Sequence, residues 1–221
     1  MRFHKTALIV AISLLAVQAM AGSIPEIWGL GTWPQDYPAQ IMATPAGAGD
    51  PLTNARLDYG VAVDASIHIQ LWYYGGSIDG PELPAKLIGF PAEDIWLAAP
   101  GLAICPGGTN PAANTDEDGW FTISEPLHTG GSTGSGIGTE ALLIYVSGME
   151  LNDENGTLIM PALRINSPDI NGDGTVSLPD VAIFAGDFNG VYHFRSDFYG
   201  DGMLSLPDVA RLSASLGQSC P

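Results

Sequence analysis

The chain has 221 residues, with 24 acidic side chains against seven basic ones and a formal net charge of -17. So large an acidic excess argues against nucleic acid and anionic membrane surfaces as partners. Beyond the first 21 residues no stretch offers about 18 uninterrupted apolar positions, so membrane insertion is not expected.

The opening residues, MRFHKTALIVAISLLAVQAMA, combine a basic start, an apolar middle and the small-residue ending Ala19-Met20-Ala21. That pattern predicts a secretory signal peptide over residues 1–21, cleaved before Gly22 by a bacterial-type export route. Its removal takes away Arg2 and Lys5 and leaves five bases against all 24 acids. An exported chain whose carboxylates gather in short loops suits an extracellular or cell-surface setting rich in calcium, since hard cations favour oxygen ligands.

From Gly22 to about Asp58 the sequence is rich in Pro, Gly and Ala, without a sustained helical or strand period, and predicts loops with one edge strand. Val61 to Trp72 then alternates. Ile67, Ile69 and Leu71 fall on one face and His68, Gln70 and Trp72 on the other, as in a half-buried strand. Further strands are expected over Asp94 to Ala98, Gly119 to Ile123, Ala141 to Ser147 and Thr157 to Ile165. No stretch before residue 166 carries a ten-residue amphipathic helix pattern, so residues 22–165 are expected to form an antiparallel β-sandwich. Within them, Thr115-Asp116-x-x-Gly119-x-x-Thr122 resembles the polar turn and core strand of bacterial immunoglobulin-like domains. The resemblance implies an immunoglobulin-like sandwich of the surface-protein type.

Two features of this part admit two readings each. Trp72, Tyr73, Tyr74, Trp96 and Trp120 either fill the sandwich core or form a platform on which sugar rings stack, with a polysaccharide as partner. Cys105 and Cys220, the only cysteines, either form one long-range disulfide or remain unpaired or bridge two molecules. Asn155-Gly156-Thr157 is a formal glycosylation sequon.

Residues 166–221 are of another kind. DINGDGTVSLPD, Asp169 to Asp180, returns 28 positions later as DFYGDGMLSLPD, Asp197 to Asp208. Against the calcium-loop pattern, Asp169, Asn171 and Asp173 take positions one, three and five, and Gly174 makes the turn at six. Thr175 offers a main-chain carbonyl at seven, Ser177 a hydroxyl or bound water at nine, and Asp180 closes the set at twelve. In the second loop Asp197, Tyr199, Asp201, Met203, Ser205 and Asp208 stand at the same places. A phenol at position three is too long to act as a short carboxylate does. Two Ca2+ sites are therefore expected, the second weaker.

Asp rather than Glu at position twelve, Pro179 and Pro207 at the helix starts and the tandem repeat itself resemble type I dockerins over residues 167–217. The resemblance implies a pair of one-helix calcium hands that docks on a cohesin-like domain, within an extracellular assembly linked to polysaccharide degradation. Where the family commonly reads its partner with a hydroxyl pair at positions ten and eleven, this chain has Leu178-Pro179 and Leu206-Pro207. These leucines either make apolar partner contacts or pack beneath the helix starts. Val181, Phe184 and Phe188, and then Val209, Leu212 and Leu216, give each helix one apolar stripe, so the two helices are expected to pack on each other.

The predicted fold class is thus mainly β with a small α module. No catalytic motif is legible: His68, His128 and His193 stand apart, and the acids of Glu93-Asp94 and Asp116-Glu117-Asp118 lie side by side rather than across a cleft. The expected function is a secreted, non-catalytic calcium-binding protein whose module docks on a cohesin-like domain or on its own sandwich. Self-assembly into a surface layer or fibre and carbohydrate binding are the alternatives.

Overall fold

A computed structural model describes residues 26–34, 38–57, 59–77, 80–133 and 142–221. The expected signal peptide, residues 22–25, Asp58 and Ala141 lie outside the described residues. Strands dominate up to residue 166, and two helices follow.

The long strand β5, Ile67–Ser77, organises the first sheet. β1, Ile27–Thr32, runs antiparallel along it, while β9, Trp120–Ile123, and β6, Gly80–Lys86, pair with its first and second halves. The alternation read from sequence holds: Ile67, Ile69 and Leu71 are fully buried, and Phe121 and Ile123 of β9 join them. A polar turn feeds β9, with Asp116 Oδ1 accepting the N–H groups of Asp118 at 2.8 Å and Trp120 at 2.9 Å.

Three smaller sheets close around the same core. β2, Ala39–Met42, lies between β13, Leu163–Asn166, and β3, Ala55–Arg56, which continues to β4, Ala62–Val63. β7, Ile95–Ala98, β11, Leu143–Val146, and β12, Met149–Glu150, form a second, and β8, Leu102–Ile104, with β10, Thr129–Gly131, the third. Ile41, Ile95, Leu97, Ile144 and Ile165 carry these sheets into one cluster with β5.

Several expectations need correction. The stretch read as loops with one edge strand contains both β1 and β2, and β2 is central. The strand expected over Thr157 to Ile165 shrinks to Leu163–Asn166 because Pro161 supplies no N–H to a ladder. β13 pairs with β2 in parallel, although an antiparallel arrangement was expected. Nor do Trp72, Trp96 and Trp120 fill the core. Each is half-buried outside it and lies flat on another ring: Trp72 on Trp28 at 5.5 Å, Trp96 on Tyr145 at 5.6 Å and Trp120 on His68 at 4.4 Å. Short β-branched and aliphatic residues occupy the narrow space between the sheets, and the indoles are displaced to the outer faces.

The C-terminal segment carries α1, Leu178–Phe188, and α2, Leu206–Ser215. Their stripes do not pack simply against each other. Phe184 and Leu212 are buried, but Phe188, Val209 and Leu216 are exposed, and the cluster is completed by Ile170, Val176, Phe198 and, from the β-domain, Met42. A segment of about 50 residues buries too little apolar surface by itself. Here the missing wall is supplied by β2.

Candidate metal centre

Each repeat builds the same loop around two carboxylates with no solvent exposure. In the first, Asp169 Oδ1 accepts the Asp173 N–H at 3.1 Å and Oδ2 the Gly174 N–H at 2.9 Å. In the second, Asp197 Oδ1 accepts from Gly200 at 2.7 Å and Oδ2 from Gly202 at 2.9 Å. Gly174 and Gly202, with φ of 87° and 80°, take the left-handed turn that a side chain would strain.

The closing carboxylates have a second task. Asp180 Oδ2 accepts the Ser177 N–H at 2.9 Å and Asp208 Oδ2 the Ser205 N–H at 2.8 Å, a capping-box arrangement in which Ser177 and Ser205 are the helix N-caps. Their other oxygens accept from Asn171 N–H at 3.1 Å and Tyr199 N–H at 2.8 Å, so one residue joins helix start to loop start. Pro179 and Pro207 fit the first helical turn, where no N–H is needed.

Carboxylates at positions one, five and twelve are brought near one another in both loops. Burial, and then the charges of Asp180 and Asp173, push the Asp169 pKa up; burial, and then Asp197 and Asp201, do the same to Asp208. Among the described residues no group of three or more His, Cys, Asp or Glu forms a metal cage by such side chains alone. The donors of the loops are of wider kind, combining carboxylates with amide, hydroxyl and main-chain oxygens. That set fits a hard cation, which would offset the repulsion between buried like charges.

The loops differ at position three. Asn171 Oδ1 accepts the Asp173 N–H at 2.9 Å and so keeps an oxygen within the first loop. Tyr199 instead gives its ring to two guanidiniums, Arg56 of β3 at 4.3 Å and Arg211 of α2 at 5.6 Å. Thr175 and Met203 at position seven donate their N–H groups to Asp173 Oδ1 at 3.0 Å and Asp201 Oδ1 at 3.1 Å.

Both loops sit against the β-domain. The Asp197 carbonyl accepts from Asn166 Nδ2 at 2.6 Å and from Gln40 Nε2, two buried amides of β13 and β2. Arg211 pairs with Asp50 at 2.5 Å. The Asp169 carbonyl accepts the Gly131 N–H at 2.7 Å, and a Cβ at Gly130 would collide with the Asp169 carboxylate. Cys105 and Cys220 form a disulfide, and the tail it holds pairs with the first loop: Val176 N–H donates to Gln218 O at 2.9 Å and Cys220 N–H to Gly174 O at 2.9 Å.

Four contributors, Tyr192, Asp187, Arg195 and Ser196, were not visible in the motif. Tyr192 in the connector donates its hydroxyl to Asp197 Oδ2 at 2.8 Å. Asp187 at the end of α1 takes Arg195 in a two-pronged bond, both arms 2.8 Å, and the Ser196 hydroxyl at 2.7 Å. Burial opposes the Asp187 charge, yet these bonds and the Arg195 charge hold its pKa below the ordinary value. Leu178 and Leu206, which one reading placed beneath the helix starts, are 80% and 77% exposed. Asn155 of the sequon is also exposed, in a turn nucleated by Asp153.

Comparison of the chain with family models, with curated proteins and with solved structures returned no match.

Proposed function

We propose that the protein is an exported, non-catalytic calcium-binding protein, made of an immunoglobulin-like β-sandwich and a type I dockerin-like pair of calcium hands. The observation that carries this reading is the duplicated loop, in which the carboxylates of positions one and twelve are fully buried and bonded alike in both copies. Asp169, Asn171, Asp173, Thr175, Ser177 and Asp180 would hold the first ion; Asp197, Asp201, Met203, Ser205 and Asp208 would hold the second, with Tyr199 leaving a place for water. Calcium supplies positive charge that lets these acids remain ionised while buried, and in so small a module its binding energy is also folding energy.

The module's first partner is its own β-domain, reached through Met42, Gln40, Asn166 and the disulfide. Its second would engage Leu178-Pro179 and Leu206-Pro207, which stand exposed at equivalent helix starts. A cohesin-like domain that meets them must offer apolar contact, since neither dipeptide has a side-chain hydrogen-bonding group.

Calorimetric titration of metal-stripped mature protein with calcium tests this. Two binding events at unchanged monomer mass are expected. Absence of binding would overturn the proposal, and growth in mass on adding calcium would replace the adaptor with a self-assembling subunit.

A further inference from the structure

We infer that the outer face of β5 and the cleft at its N-terminal end bind a neutral saccharide chain. The cleft, about 770 Å³, lies where β1 ends and β5 begins, within the roughly 300–1,000 Å³ range of small-molecule sites. Trp33 provides an aromatic wall, and Thr32, Asp64, Ser66, His68 and Thr122 provide the polar groups. Hydroxyls, one carboxylate and an imidazole beside an indole match the two needs of a pyranose: an apolar ring face to stack and equatorial hydroxyls to bond.

The polar groups are held in place. His68 lies flat on Trp120, with rings 4.4 Å apart and 6° from parallel, and its Nδ1 shares a 2.7 Å bond with the Thr122 hydroxyl. Asp64 Oδ1 accepts the Ser66 N–H at 2.9 Å, and the Ser66 hydroxyl and N–H keep its pKa below the ordinary value. Side chains fixed before binding lose less freedom on binding.

From the cleft the same face continues along the pleat as Gln70, Trp72 and Tyr74, because Ile67, Ile69 and Leu71 take the core side. Trp72 Nε1 donates to Gln70 Oε1 at 3.1 Å, and Gln70 Nε2 donates to the Asp118 carbonyl at 2.6 Å. Trp72 is braced flat against Trp28, 5.5 Å away and 7° from parallel. At about 3.3 Å per residue the track from Ser66 to Tyr74 is roughly 26 Å long, enough for several sugar rings in a row.

Charge selects within this class. Among the described residues of the face Lys86, opposite Trp72, is the one lysine or arginine, and it is paired with Asp118 at 2.6 Å. With no uncommitted basic residue there and a chain at -17, phosphorylated and uronic-acid polymers are disfavoured.

The test is calorimetric titration of the mature full chain with cellohexaose, xylohexaose, mannohexaose and chitohexaose, with oligogalacturonate as the anionic control. Binding of at least one neutral hexasaccharide is expected, weakened ten-fold or more in Trp72→Ala and in Asp64→Asn, with none of oligogalacturonate. Asp64 is exposed, so its substitution keeps the test open if Trp72→Ala disturbs folding. No binding of any neutral probe, binding that neither variant changes, or preference for oligogalacturonate overturns the inference. No residue of either repeated loop lines the cleft, so this result is read separately from whether calcium binds.

Discussion

The two repeats share their loop and helix start yet serve different ends. In the first, every position of the calcium-loop pattern carries an oxygen, and the connection to the β-domain runs through a main-chain bond, the C-terminal tail and the disulfide. In the second, position three is given to Tyr199, whose ring lies between Arg56 and Arg211, while Gln40 and Asn166 hold the Asp197 carbonyl. The difference teaches that a duplicated motif can divide its labour: the first copy keeps a side-chain oxygen at position three, and the second gives that position to a docking contact.

Breaking the covalent half of this comparison gives the largest effect. Cys105→Ser with Cys220→Ser opens a loop spanning 115 positions and is expected to cost about 4 kcal/mol in denaturant unfolding. Next come the proposed ion ligands. Asp173→Ala should weaken calcium binding at its loop on the order of 100-fold and Asp201→Ala on the order of 10-fold, because the second loop already lacks a ligand. Equal losses in calorimetry would erase the ranking of the two loops.

Asp187→Asn should cost about 2 kcal/mol, the scale of a hydrogen-bonded charge. The folded pKa of Asp187 lies below its ordinary 3.8, so its contribution is present above that pH and lost as pH falls through the depressed value. The gap between wild type and variant should therefore close in acid, as read by unfolding at stepped pH. Arg56→Ala removes a cation from the Tyr199 ring and should cost about 1 kcal/mol. Tyr199→Asp sharpens the same point, raising the second loop's calcium affinity while weakening its hold on the β-domain. Smallest of all, Leu178→Glu with Leu206→Glu should change thermal stability by no more than about 0.5 kcal/mol, as both side chains are exposed.

Much of this was legible locally. The alternation of Ile67, Ile69 and Leu71 marked β5, the repeated acidic twelve-residue pattern marked both loops, and Pro179 and Pro207 marked both helix starts. What was not legible depends on distant partners. Gln40 meets Asp197 across 157 positions, and Met42 closes a cluster otherwise made after residue 166. A buried amide and a single methionine carry no periodic signal. The indoles misled for a related reason: an alternating strand shows which residues share a face, but only the assembled sheets decide which face has room. Thus Trp72, for which core and outer platform were both open, belongs to the outer layer.

The disulfide also sets how the molecule would answer to force. Its Cys220 end is paired with the first loop, and its Cys105 end follows directly on β8. Tension applied by anything gripping the exposed Leu178 and Leu206 corners is thereby led through a covalent bond into the body of the β-domain. The hydrogen bonds and ring contacts of the second loop can yield and re-form under such a pull, while two covalent tethers, the main chain leaving β13 and the disulfide, would limit how far the two halves separate.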